Sequence, residues 1–441
     1  MKPSATFTPR HFTLTQNIPI PRFCGVSIRR PTAPECPDIP LAVRQGIAAS
    51  PRLRGLPRGA RVAVGVGSRG IAELPVLVRA AVDSLQRMGL APFIVPAMGS
   101  HGGATAEGQK ALLEHLGVSE ESMGVPVLGQ MDTVNLGEVA PGVECHMARA
   151  AYEADATIVV ARVKQHTNFV SDIESGLCKM LAVGLGKDIG AKNAHIYGRT
   201  GLTEYIPRIA QRMIEQANIA FGLAVVENAQ SRPSLVEGVE ASDILQADRR
   251  LLAEAKRQKN MLPFAQLDLL VVEHIGKNIS GTGMDTKVVG RPGFGDAYGH
   301  PQINTVVALR VTEESGGNGI GLGIADITTV ETLNGLDLEA MYINALTSCC
   351  MDRVKLPPGF ATEQEAIQAG LKICWQPETA RVRGCVIRST QDLTHVLLTE
   401  PLLEDLRRNQ PGLGLDFWQE EPRPLAFDKG RLRVAWPPAA A

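Results

Sequence analysis

The run Val62-Ala-Val-Gly-Val66 carries no polar side chain on either of its alternating faces. A strand of that kind needs cover on both sides, as in a parallel sheet flanked by helices. The residues that follow supply the rest of the unit. Gly67-Ser68-Arg69-Gly70 is a glycine-rich turn. Residues 71–89 place Leu77, Val78, Ala81 and Leu85 on one helical stripe. Pro75 suits the first turn of that helix, and Gly89 suits its end. APFIVPAMG then reads as a second strand. The result is a βαβ unit whose loop lies at the carboxyl end of a strand, where open α/β sheets bind ligands. Further buried runs at 154–163 and 266–275 extend the pattern. The expected class is α/β, with two α/β domains, a mostly parallel Rossmann-like sheet in the first and the active site in the cleft between them.

Length agrees, since 441 residues exceed one ordinary core. The division is expected near Leu262, where Pro263 breaks the amphipathic helix 243–260. This gives domains 1–262 and 263–441, with a proline-rich tail from about 421. A net charge of −1 and 4% aromatics give no electrostatic or stacking case for nucleic acid or a membrane surface. MKPSATFTPRHFTLT has no apolar core, so no signal peptide is expected. No apolar run spans a bilayer. The 8 cysteines include no C-x-x-C pair, which points to reduced thiols in the cytoplasm and away from a zinc or iron–sulfur centre.

Gly65, Gly67 and Gly70 formally match a dinucleotide fingerprint. That reading predicts an acidic residue at the end of the second strand, and Pro96, Ala97, Met98 and Gly99 stand there. Next comes Gly99-Ser-His101-Gly-Gly103, a histidine between glycines on a strand-end loop. The strand 154–163 leads to a second such loop, with His166. Two strand-end loops of one sheet deliver two imidazoles to one edge. Groups that titrate near neutrality can serve as acid and base on opposite faces of a substrate.

Two histidines alone do not remove a hydride or an unactivated α-proton, so an electrophile is needed between them. Residues 160–195 offer the means to hold one. Lys179 lies between His166 and His195 in a largely apolar, glycine-spaced run. A buried ammonium is costly to desolvate, so Lys179 is paired, exposed at one end or covalently changed. A lysine can link to a cofactor, and histidine is the commonest metal ligand.

Ser68-Arg69, Gly99-Ser-His101-Gly, His166, Gly176-x-x-Lys179 and His195, in that order, resemble the nickel-dependent lactate racemase family. The likeness is close over residues 60–200 and loose elsewhere. It implies a nickel-pincer nucleotide joined to Lys179, with Ser68, Arg69 and Gly176 around it and His195 on the nickel. His101 and His166 would be the catalytic acid and base, and Arg69 would orient the substrate carboxylate. A second-domain lysine, Lys277 or Lys287, would face the substrate. The implied reaction is racemisation or epimerisation of a 2-hydroxy acid by hydride transfer, with the pincer-making enzymes as partners. The chain departs from the family in its first loop, where Val66-Gly67-Ser68-Arg69-Gly70 replaces Asp-His-x-Arg-Pro. It also has Leu177-Cys178 where Gly-Arg is usual. The loop lysines and the missing acidic residue favour substrates more polar than lactate, such as sugar acids or dicarboxylic hydroxy acids.

Downstream, SRPSLVEGVEASD reads as a polar surface connection. Residues 276–287 read as a glycine-rich loop, either solvated or facing the cleft. Thr362-x-x-Glu365 reads as a capping box, and Asp428-Lys-Gly430 as a hairpin turn. Besides the racemase, two other classes remain: a nucleotide-dependent oxidoreductase using the Gly65–Gly70 turn, and a non-catalytic cofactor carrier or sensor.

Overall fold

A computed structural model describes residues 6–438, apart from positions 31, 69, 168, 292 and 294–300. Arg69 and His300 therefore lie outside the described residues. The chain forms two compact units, one of residues 32–259 and one joining the N-terminal segment to residues 260–438. The division falls three residues before the expected 262/263 boundary. The N-terminus departs from expectation. Strand β1 (Phe23–Arg29) lies within the second unit's sheet, so residues 1–262 are not one domain. Its Cys24, Val26 and Ile28 are buried there. Its strand partners lie hundreds of residues away in the chain.

The first unit holds β2 (Arg61–Val66), β3 (Ala91–Pro96), a separate hairpin of β4 (Thr133–Ala140) and β5 (Val143–Ala148), then β6 (Ala156–Arg162), β7 (Ile219–Glu227) and β8 (Pro233–Glu240). Its five-stranded sheet runs β3-β2-β6-β7-β8 and is parallel except for β7–β8. Helix Leu74–Arg87 buries Leu77, Val78, Ala81 and Leu85 against Val62, Val64, Ile158 and Val160. This is the stripe its spacing predicts. Pro75 is in its first turn, and Gly89 follows it at φ +80°. β8 is the strand read as a surface connection. An edge strand needs few apolar side chains, and here Glu237 and Glu240 stay partly in water. Chain order reverses between β2 and β6, because β3 lies on one side of β2 and β6 on the other. The loops after β2 and β6 thus leave adjacent carboxyl ends, the crevice where open parallel sheets take ligands.

In the second unit β9 (Gln266–Ile275) pairs in parallel with β10 (Gln302–Val311). A two-residue pair, β11 (Thr328–Thr329) and β12 (Gly359–Phe360), lies beside them. β13 (Gly384–Ile387), β14 (His395–Thr399) and β15 (Gly414–Arg423) complete the order β10-β9-β13-β14-β1-β15. β16 (Ala426–Asp428) and β17 (Arg431–Arg433) form the expected hairpin. The tail is not loose, however. Trp436 Nε1 donates to Glu273 Oε2 at 2.6 Å, and Arg388 donates to the Pro437 carbonyl at 3.0 Å. The capping box is half made. Thr362 accepts from Glu365 N at 3.1 Å, while the Glu365 carboxylate meets His11 Nδ1 at 2.5 Å. Among the described residues no helix is long and apolar enough to cross a membrane.

Candidate active site

Three loops leave the carboxyl edge of the first sheet, after β2, β3 and β6. The β3 loop turns on Gly99, Gly102 and Gly103, all in the left-handed region with φ between 62° and 66°. Glycine enters that region without steric cost. The turn sets His101 beside the β2 loop, where Ser68 Oγ lies 2.5 Å from His101 Nδ1. One imidazole nitrogen is thereby tied, which fixes the orientation of the ring.

The β6 loop is closed at its base by a backbone pair between Lys164 and Ser175, at 2.9 and 3.2 Å. Inside it the buried Glu174 carboxylate accepts from His166 N at 2.6 Å and pairs with Lys256 Nζ at 3.0 Å. The His166 ring stacks on the fully buried Phe169, with centroids 4.5 Å apart. Its backbone and one ring face are therefore both fixed.

Residues 176–195 then run as one winding element. Gly176 is extended, with φ 173°, so its requirement is space. A Cβ there would stand 2.4 Å from Asp248 Oδ1. Asp248, on helix Ile244–Gln258, accepts from Leu177 N at 2.9 Å and Cys178 N at 2.8 Å. Burial raises its carboxyl pKa, against the pull of those two N–H groups. Burial, then the Asp248 charge, pushes the Cys178 thiol well up, so this cysteine is packing and no nucleophile. Lys179 is half-buried at the end of that first turn. Met180–Leu185 is wound as a π-helix, a form concentrated at functional sites. Its contacts explain the glycine spacing. A Cβ on Gly67 would lie 2.7 Å from Met180 Cε, and one on Gly184 would lie 2.7 Å from the Ala97 carbonyl oxygen. The missing side chains let the lysine-bearing turn press against the β2 and β3 loops.

Helix Lys187–His195 ends the element. His195 Nδ1 is buried and has no hydrogen-bond partner among the described residues. Burial lowers its pKa to about 4, with the Lys179 charge adding to the shift. The imidazole is thus neutral, lies within the field of Lys179, and holds an unused nitrogen lone pair or N–H. Of the expected site residues, the structure brings Ser68 to His101, sets His195 within the electrostatic field of Lys179, and places His166 on the loop after the neighbouring strand. Lys277 and Lys287 belong to the second unit. Lys287 is buried, and the Lys277 ammonium is engaged by Asn344 Oδ1 at 2.7 Å and the Gly281 carbonyl at 3.1 Å.

Sequence reasoning missed Asp248 and Glu174, the carboxylates behind the two loops. Asp248 sits at the apolar border of an amphipathic helix, and an acidic residue amid Leu251, Leu252 and Ala247 was the available signal. The dinucleotide reading loses its ground. Gly67 is required by Met180, and β3 ends in Pro96 with no carboxylate.

A family model described as a domain of unknown function (DUF362) matches residues 67–245, the span that carries all three loops. No curated protein matches in sequence. Among solved structures, the chain is similar to the lactate racemase apoprotein from Thermoanaerobacterium thermosaccharolyticum. The match has 13% identity, covers 81% of this chain and 92% of that one, and has a TM-score of 0.52. The protein has a lactate racemase-like fold.

In this lactate racemase-like fold the share of the chain that is matched exceeds either unit alone. Whether a pincer cofactor suits it is a question for the side chains. Among the described residues no group of three or more His, Cys, Asp or Glu side chains is placed to hold a metal. The chain offers a nickel ion one buried, neutral imidazole, and beside it an amine at the end of a tightly held turn. That donor set fits a metal whose other ligands arrive on an organic group attached to Lys179.

Proposed function

We propose that the protein racemises or epimerises a 2-hydroxy acid, using a nickel-pincer nucleotide joined to Lys179 with His195 as the nickel's protein ligand. The observation that carries this reading is the buried Nδ1 of His195, which has no hydrogen-bond partner among the described residues and lies within the electrostatic field of Lys179. Bound there, the cofactor would supply an acceptor for the substrate's α-hydrogen as hydride.

The remaining tasks fall to the chain's own residues. His101 takes or returns the hydroxyl proton on one face, with its ring aimed by Ser68. His166, set by Glu174 and Phe169, does so on the other. A base on each face allows either enantiomer to enter. Gly176 lets Asp248 approach and fix the turn that carries Lys179. Arg69 would grip the substrate carboxylate through its planar fork. Pincer-making enzymes are the required partners. Replacement of the family's acidic first loop by Val66-Gly67-Ser68 favours a substrate richer in hydroxyl groups than lactate.

The test is an intact-mass and nickel determination on protein co-produced with the pincer-making enzymes, beside a Lys179→Ala control. A nickel-bearing adduct lost in the control supports the reading and justifies a screen of 2-hydroxy acids. No adduct, under conditions where a known lactate racemase acquires one, overturns it.

A further inference from the structure

Lys187 is a second lysine in the same element, and the reaction just described gives it no task. It is fully buried, with 0% exposure, and it sits at φ +56°. A non-glycine residue pays for that left-handed conformation unless its surroundings hold it there. Among the described residues its ammonium has no carboxylate hydrogen-bond partner. Nζ donates to the Pro96 carbonyl at the end of β3, at 2.8 Å, and to Gln109 Oε1 at 3.0 Å. Burial lowers its pKa to about 8.

Gln109 is equally buried, at 0% exposure, on helix Ala106–His115. Its Nε2 donates to the Gly99 carbonyl at 2.8 Å and to the His101 carbonyl at 3.2 Å. An unbroken path of hydrogen bonds thus runs from the first residue of the helix that ends in His195, through Lys187 and Gln109, to the backbone of His101. The β3 loop turns on three left-handed glycines, so its own backbone does little to hold one conformation. The amide and the ammonium supply what those glycines lack. Among the described residues, this costly buried lysine in a strained conformation is bonded to groups that frame one loop, and it has no evident role in the core.

We propose that Lys187 and Gln109 are positioning residues that set the His101 loop against the lysine–histidine element, so that His101 keeps its bond to Ser68. This rests on the reading of His101 as an acid–base group, and the test is chosen to separate the two. Protein labelled with ¹⁵N-histidine is compared as wild type, Lys187→Met, Gln109→Leu and Gln109→Glu, and the imidazole signals are followed against pH. His101→Asn and His166→Asn assign the two resonances among the 9 histidines.

The expected result is a His101 pKa moved by about 0.5 unit or more, with altered Nδ1 shifts, in Lys187→Met and Gln109→Leu. His166, on another loop, stays as in wild type. Gln109→Glu keeps an acceptor for Lys187 but cannot donate to Gly99 and His101, so it should move His101 as Gln109→Leu does. His101 signals unchanged in any folded Gln109 variant overturn the proposal, even if Lys187→Met fails to fold. Cofactor-loaded protein adds a second readout. The Gln109 variants should lose at least about tenfold in kcat with nickel content intact. If no adduct forms in wild type, the racemase reading fails while the histidine titrations still decide the strut.

Discussion

The loop after β6 and the loop after β9 look alike in sequence. Each follows an apolar strand and carries polar side chains, lysine and glycine. In the first unit the winding element after the loop leaves one buried nitrogen unmatched. His195 Nδ1 is buried and has no hydrogen-bond partner among the described residues, and Lys179 is half-buried at the end of a fixed turn. In the second unit the same composition is consumed by packing. Thr282, Thr286 and Lys287 are buried, Lys277 is tied to Asn344 and Gly281, and Asp285 N is bonded to Thr390. Gly283 is needed because a Cβ there would lie 2.0 Å from the Ile320 carbonyl oxygen. A strand, a glycine loop and a lysine therefore do not make a site. What distinguishes the first of these two stretches is a buried imidazole Nδ1 without a hydrogen-bond partner among the described residues, on the element that follows the loop.

The largest effects should separate the two regions by chemistry. Lys179→Arg should abolish the nickel-bearing adduct by mass while leaving the fold, since arginine cannot supply the linking nitrogen. His101→Asn and His166→Asn should keep the adduct and lose about 10²–10⁴-fold in turnover, measured by chiral analysis of product. If either histidine variant stays fully active, its assignment is wrong. A substrate deuterated at the α-carbon should keep its label, and none should enter from heavy water. Solvent exchange there would mean proton abstraction instead.

Next in size is the backing of the lysine turn. Asp248→Ala should cost about 4 kcal/mol in urea melts, because two buried N–H groups lose their acceptor. A cost near zero would mean that the turn holds itself. The pH dependence of Lys187 follows. Its folded pKa of about 8 lies below the ordinary 10.5, so between those values the unfolded chain binds more protons and stability rises with pH. The rise should be about 3 kcal/mol, lost in Lys187→Met. A mutant curve parallel to wild type would place the titration elsewhere. The smallest effect belongs to the second unit. Lys277→Gln should cost about 1 kcal/mol and leave the adduct unchanged. Loss of turnover without loss of stability would return Lys277 to the substrate.

Much of the first unit was legible because its information is local. The strands at 61–66, 91–96 and 156–162 are continuous apolar runs, and helix 74–87 shows its stripe, its proline and its terminal glycine. What escaped was each element whose meaning lies in a distant partner. β8 looked like a connection because an edge strand needs little apolar surface. The N-terminal segment reads as part of the first domain because its sequence does not name the strands it will join. Glu174 and Asp248 do not stand out because the backbone N–H groups they satisfy are brought to them only by packing.

The sequence by itself determined the parallel sheet, the strand-end loops and the residue types at its carboxyl edge, since hydrophobic period and glycine placement act within a few residues. Only the tertiary structure decided which of those polar groups would be matched. Ser68 found His101, Lys187 found Gln109 and Pro96, Lys277 found Asn344, and His195 Nδ1 found nothing among the described residues. The reason is that the cost of burying a polar atom depends on whether a partner reaches it, and that is fixed when separate segments pack together.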